Sequence, residues 1–376
     1  MVQEFIPFEL ERIMSIWENQ VEVNLSESGV HPMTLRELVD DQTVLENILD
    51  LELNYPQTNG TSELRQRIAA LYPGATEDNV LVTTGCAQAN FTALVTLLAP
   101  GDEIAILLPN YMQIWGIAKN LQLKVNTFSL REETGWRLDV GELQRAVSDH
   151  TKLIAVCNPN NPTGHIMSAE EMDAVVGAAE RSGAWLLADE VYVGAERESE
   201  QETPSFWGRY GKVLAHGSMS KAYGLPGLRI GWSVTSAEVA EAMWARQDYI
   251  TIGNTMLGNK LAAYALAPEV RPRILARTRE YIRRGYANFE AWCARHEGLF
   301  TYVPPQAAAI AFVRYHLQAG SVGLVEELIR QEGAYVVPGA HFGLEHHLRI
   351  SYGLPAEYLE DGLERLYRVM ARFSEE

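Results

Sequence analysis

The chain has 376 residues, 47 % of them hydrophobic, and 49 acidic against 31 basic side chains give a net charge of −18. That length allows two domains and a sizeable core, while the charge argues against nucleic acid or an anionic membrane as partner and favours a cationic substrate. Three widely spaced cysteines (Cys86, Cys157, Cys293) make no metal-binding pattern and point to a reducing compartment. The start, Met1-Val-Gln-Glu-Phe-Ile-Pro7, lacks the basic-then-apolar layout of a signal peptide, and no run of 18 apolar residues occurs. A cytoplasmic protein is expected.

In chain order, the segment to about Leu45 carries Trp17-Glu18 and the loop Ser28-Gly29-Val30-His31-Pro32. Asn54-Tyr55-Pro-Gln-Thr-Asn-Gly60 follows. From Val80 on, apolar β-type runs alternate with amphipathic stretches. Residues 80–83, 103–108, 152–157, 184–188 and 212–216 read as strands. Helices are expected over 88–98 and 168–181, the second opened by a capping box of Ser168 and Glu171. Short apolar strands separated by helices argue for an α/β fold, with a mostly parallel central sheet covered by helices on both faces. Ligands in such sheets sit beyond the carboxyl ends of strands. The polar motifs fall there: Gly85, Asn158, Asp189 and Ser218 each follow a strand. Charge at helical spacing over 269–284 predicts a long linking helix, and residues 308–312 and 347–351 read as strands of a smaller α+β domain built from both termini. There is no internal repeat and no Pro/Gly/Ser-rich linker, so one interlocked subunit is expected.

The stretch His216-Gly-Ser-Met-Ser-Lys-Ala-Tyr-Gly-Leu-Pro-Gly-Leu-Arg-Ile-Gly-Trp232 places Lys221 after two serines and before Arg229, among glycines. A lysine used in chemistry must be fixed in place and partly deprotonated, and a nearby cation in a dry pocket does both. Small residues let the backbone approach a bulky ligand, and Ser218, Ser220 and Arg229 suit a phosphate. A lysine that forms a Schiff base beside a phosphate site suggests pyridoxal 5′-phosphate.

Four motifs occur in order: Thr83-Thr-Gly-Cys-Ala-Gln88, Asn158-Pro-Asn-Asn-Pro-Thr-Gly164, Ala188-Asp-Glu-Val-Tyr192 and the lysine segment. With them nearly the whole chain resembles the fold-type-I pyridoxal-phosphate enzymes of the class I/II aminotransferase group. The resemblance implies an N-terminal segment (1–45) packing on the small domain, a large cofactor-binding domain (46–270) and a small C-terminal domain (271–376). It makes Lys221 the Schiff-base lysine and general base, with Asp189 keeping the pyridine nitrogen protonated. Tyr192 and Asn161 would donate to the phenolic oxygen, and Tyr111 would stack on the ring. Gly85, Cys86 and Ala87 would surround the phosphate with Ser218, Ser220 and Arg229. Arg349 would grip the substrate carboxylate, and Gly29 belongs to the loop that closes over the substrate, where Asn161 also contributes. Tyr55 would reach the phosphate of the neighbouring subunit in a homodimer. The implied reaction is transamination of an L-α-amino acid to its keto acid through Schiff-base and carbanion (quinonoid) chemistry, with a second keto acid as acceptor.

The second arginine of dicarboxylate-specific relatives has no match here. Glu18 after Trp17, Asp248 in Arg246-Gln-Asp-Tyr249, and His31 are instead similar to a group of pyridoxal-phosphate enzymes that act on L-arginine. That group includes oxygen-using oxidases and hydroxylases and the capreomycidine synthases. In those enzymes acids hold the guanidinium and the histidine sits by the cofactor. The alternative expectation is therefore an enzyme on the same frame that diverts the carbanion to oxidation by O2 or to cyclisation, with Glu18 and His31 as catalytic residues. A non-catalytic regulator is disfavoured, because no basic helical segment precedes Val21.

Overall fold

In a computed structural model, which describes residues 5–375, an eight-stranded sheet carries the larger part of the chain. Met1–Glu4, the start of the segment read for a leader, lie outside the described residues. From edge to edge the strands are Val80–Thr83, Gly231–Val234, Val213–Ser218, Trp185–Asp189, Thr151–Cys157, Glu103–Leu108, Lys124–Arg131 and Arg137–Leu138. All run in one direction except Gly231–Val234 and the short Arg137–Leu138. Successive residues face opposite sides, so each strand feeds two cores. Leu81, Ile104, Ile106, Leu153 and Leu187 pack under the helices Cys86–Leu97, Gln113–Asn120 and Ala237–Gln247. Val82, Ala105, Ile154, Val156 and Leu186 face the opposite core, which includes Met172, Val175 and Ala179 of helix Ala169–Ser182. The expected parallel α/β architecture is therefore present.

The capping box forms as expected. Ser168 Oγ accepts from the Glu171 N–H, and Glu171 accepts in return from the Ser168 N–H. Burial pushes the Glu171 carboxyl up, but hydrogen bonds from His165, Ser168 and Leu138 outweigh it and hold the group at about 2.

A four-stranded antiparallel sheet, Phe300–Tyr302, Ile310–Tyr315, His347–Ser351 and Val337–Pro338, forms a second body of structure. The helix Arg271–Arg295 leads to it, running past the expected end at 284. Its buried face recurs every three or four residues through Ile274, Thr278, Ile282, Gly285, Phe289 and Trp292. At Gly285 a Cβ would stand 1.8 Å from the Tyr352 carbonyl oxygen, so only glycine permits that crossing.

The N-terminal segment touches both bodies. Val23–Asn24 pairs in parallel with Ala334–Tyr335 of the smaller one. Helix Glu9–Trp17 instead reaches the larger one, where Phe8 lies edge-on to Tyr111 at 5.0 Å between centroids.

Candidate active site

A cavity of about 350 Å³ opens at the carboxyl ends of the central strands. One end is built from loops that follow those strands. Gly85, at φ +75°, turns the chain from strand Val80–Thr83 into helix Cys86–Leu97, two residues earlier than the sequence pattern predicts. No side chain caps that helix, so the first N–H groups, at Cys86 and Ala87, are left for an anion. A Cβ at Gly85 would stand 2.4 Å from Arg229 Nη2, so the guanidinium lies directly against this turn. Ser218 Oγ donates to Ser220 Oγ at 2.9 Å and accepts from the Ser220 N–H at 2.9 Å. Cys86, Ala87, Ser218, Ser220, Lys221 and Arg229 all line the cavity. Arg229, two hydroxyls and an uncapped helix start, beside Lys221, make a cup that fits a phosphate.

Asp189 ends its strand against the cavity, 6 % exposed. Burial raises its pKa, opposed by the Val191 N–H, Asn90 and Cys86. A buried carboxylate of this kind calls for a cationic partner, and a protonated pyridine nitrogen is one. Burial also raises the Cys86 thiol well above its ordinary value, so it is a neutral filler and no nucleophile. The Tyr192 hydroxyl donates to Ser28 Oγ at 2.9 Å, and burial holds it protonated. The loop around Asn161 is braced by Asn160, which accepts from Thr163 and donates to the Pro109 carbonyl. That bracing leaves Asn161 facing the cavity.

The other end comes from the N-terminal segment and the smaller sheet. Arg349 is 2 % exposed; its Nη1 donates to Asn161 Oδ1 at 3.0 Å and its Nη2 to the Ser26 carbonyl at 2.5 Å. Its Nε has no hydrogen-bond partner among the described residues. A buried guanidinium with a donor to spare is suited to a carboxylate. Glu27 lies 3.4 Å from Lys221 Nζ, and the lysine, with Arg349, holds the Glu27 carboxyl below its usual range against the effect of burial. Glu18 is pushed the other way, by burial and then by Glu27 and Glu11. Glu11 accepts from the Tyr111 hydroxyl at 2.6 Å. Glu11, Glu18 and Glu27 thus meet in one cavity.

Sequence reasoning missed Glu11 and Glu27. Glu11 carried a usable signal, since it stands seven residues before Glu18 and so on the same helix face. Glu27 carried none: its partner Lys221 is 194 residues away.

Five expected site residues do not line this cavity: His31, Asp248, Tyr55, Gly29 and Gly85. His31 is exposed and stacked on Tyr281 at 6.1 Å, because Val30 takes the buried position and the next side chain must point out. Asp248 caps helix Ala237–Gln247 and is exposed; Gln247 beside it turns inward and donates to the Thr58 carbonyl. Tyr55 is 84 % exposed, away from the cavity of its own subunit. Gly29 packs beside Lys221 and forms no part of the wall; a Cβ there would come within 3.2 Å of the Ser220 carbonyl oxygen.

A cavity-lining lysine, a phosphate cup and a buried aspartate, on this sheet, define a pyridoxal-phosphate enzyme of fold type I. The chain belongs to the family of class I and II aminotransferases, whose model matches residues 34–366. It is 31 % identical to capreomycidine synthase of Streptomyces vinaceus over 351 residues, 92 % of this chain and 88 % of that one. It is similar in structure to a PLP-dependent aminotransferase from Streptococcus suis (TM-score 0.91, 30 % identity, 99 % of each chain). It is similar also to a PLP-dependent cyclase, OrfR (TM-score 0.88, 26 % identity, 99 % of each chain). The protein is a pyridoxal-phosphate-dependent transferase that acts on amino acids.

Proposed function

We propose that the amino donor is an L-α-amino acid with a cationic side chain. The observation that carries this is the meeting of Glu11, Glu18 and Glu27 in the cavity that also holds Arg349. Arg349 takes the α-carboxylate, and the three acids supply the negative charge that a guanidinium or ammonium needs. The bound cofactor supplies an electron-withdrawing ring that acidifies the substrate α-carbon. Asp189 would keep the proton on the ring nitrogen, Tyr192 and Asn161 would donate to the phenolic oxygen, and Tyr111 would stack on the ring. Ser218, Ser220, Arg229 and the Cys86 and Ala87 N–H groups hold the phosphate. Lys221 then moves the α-proton as general base. Glu27 lies 3.4 Å from its Nζ, so the acid that meets the substrate cation also borders the amine that moves the proton.

A second reading has the same residues divert the reaction to oxidation by O2 or to cyclisation. What supports it is the 31 % identity to capreomycidine synthase of Streptomyces vinaceus over 92 % of this chain. We also place the enzyme in the cytoplasm, in line with its three free cysteines. We further propose a homodimer in which Tyr55 reaches the partner's phosphate cup. Support comes from exposed apolar residues: Leu49 and Leu53, close before it in sequence, and Tyr249 and Ile252 of the loop whose Gly253 packs on Thr58. The chain divides, in this proposal, at about residues 45 and 270.

The test supplies single L-amino acids to the purified enzyme in air without a keto acid, following cofactor absorbance and dissolved oxygen together. One conversion with arginine or lysine, and none with aspartate, supports the cationic donor and transamination. Continuing oxygen loss selects the oxidase reading. Reaction with aspartate in preference to both cations overturns the proposal.

A further inference from the structure

A line of hydrogen bonds leads to Asp189 through residues that no step above uses. Gln113 Nε2 donates to the Ala87 carbonyl at 2.9 Å. A carbonyl only accepts, so the amide nitrogen of Gln113 faces Ala87 and its Oε1 faces Asn90. Asn90 Nδ2 donates to that Oε1 at 3.1 Å and to Asp189 Oδ2 at 3.4 Å. Both amide hydrogens are then committed, and Asn90 Oδ1 can only accept. Its neighbour at 2.8 Å is His216 Nδ1, which must therefore carry a hydrogen. Strand pairing sets His216 directly beside Asp189. The imidazole is fully buried, and burial lowers its pKa to about 3, so the ring is neutral and Nδ1 holds its one hydrogen. Nε2 has no partner among the described residues, which suits a bare acceptor nitrogen better than a buried N–H.

We propose that His216, as its Nδ1–H tautomer, and Asn90 are positioning residues that keep the Asp189 carboxylate ionised and aimed at the cofactor's ring nitrogen. The inference rests on the reading of Asp189 given above. Asn90 is the only side-chain N–H on that carboxylate among the described residues; Oδ2 otherwise has the Cys86 thiol at 3.7 Å, a weak donor. Without Asn90, burial would drive a proton onto Asp189, and the ring nitrogen would lose its anionic partner. Without the His216 hydrogen, nothing prevents the Asn90 amide from turning its oxygen toward the carboxylate, where it repels.

The test separates a donor from a filler. His216→Asn puts an amide N–H where Nδ1 was but leaves a smaller side chain, and His216→Phe keeps the bulk without the donor. Each variant, with Asn90→Leu and Asp189→Asn, is titrated as apoprotein with pyridoxal phosphate to obtain Kd. Imidazole 15N shifts are recorded on wild-type holoenzyme. The proposal expects His216→Asn to bind nearly as wild type, and His216→Phe and Asn90→Leu to weaken binding by about tenfold, toward Asp189→Asn. Wild-type shifts should show Nδ1 protonated with no titration near neutral pH. Phe binding as wild type while Asn fails would assign His216 to packing and overturn the proposal, as would a hydrogen found on Nε2. Those nitrogen shifts decide even if the variants do not fold. Unchanged affinity in Asp189→Asn would sink the underlying reading of Asp189, and the tautomer result separates that failure from this one.

Discussion

The two ends of the cavity are built in opposite ways. At the cofactor end, Gly85, Asn161, Asp189, Ser218 and Lys221 each sit at or just beyond the carboxyl end of a strand of one sheet. At the substrate end, Glu11, Glu18, Glu27 and Arg349 come from an N-terminal segment and a separate small sheet, joined by the Val23–Asn24 pairing with Ala334–Tyr335. The first end gains its geometry from strand register. The second has as much polar chemistry but depends on how distant pieces of chain dock. Chemistry common to many amino acids is thus fixed on the sheet, and the part we propose to choose among them rests on pieces that dock from elsewhere in the chain.

The sharpest break in that comparison is Lys221→Ala. Removal of the only lysine that lines the cavity among the described residues should lower turnover by about 10³-fold or more. The phosphate cup and Asp189 remain, so the protein should still carry cofactor through gel filtration, seen by its visible absorbance. Turnover within tenfold of wild type would show that another group moves the proton.

Next in size is Arg349→Lys. The charge survives, but the two-pronged geometry to Asn161 Oδ1 and the Ser26 carbonyl is lost. The value of kcat/KM should fall by about 100-fold for every donor, with affinity for the cofactor unchanged. A matching loss of cofactor affinity would mean that the two ends are one unit, coupled through Asn161.

The same contrast explains what could be read from the chain. The strand Val80–Thr83 is buried at every position, and its apolar run shows it. Because loops after such strands face the ligand, local pattern put Asp189 and Lys221 at strand ends, while the roles expected of them came from the resemblance to the family. The strand Lys124–Arg131 was not, since its outward positions are polar at a half-exposed edge. Gly231–Val234 was hidden inside the lysine motif. Glu27 could not be found, for the contact that defines it spans the whole cofactor domain. His31 was misplaced because a loop has no period: which of Val30 and His31 turns inward depends on the pocket formed by Gly224 and Gly353. Specificity read from a loop is therefore exposed to single-residue errors that strand-end chemistry escapes.

The smallest expected effect tests the substrate end through pH. Burial, then Glu27 and Glu11, raise the Glu18 carboxyl above its ordinary value of 4.5, while Lys221 leads the groups that lower Glu27. As pH falls, Glu18 is therefore protonated first, at a pH where a solvated glutamate is still charged, and Glu27 stays ionised. The sign follows: binding of a cationic donor is complete above the raised Glu18 pKa and weakens as pH drops through it. A partly exposed ion pair contributes ~1 kcal/mol, so kcat/KM for arginine or lysine should fall about fivefold across that step. An apolar donor should show no such limb, and Glu18→Gln should remove it for the cations while leaving the apolar profile as it was. If the limb persists in Glu18→Gln, the titrating group is another acid, and Glu11 becomes the residue that reads the substrate's charge.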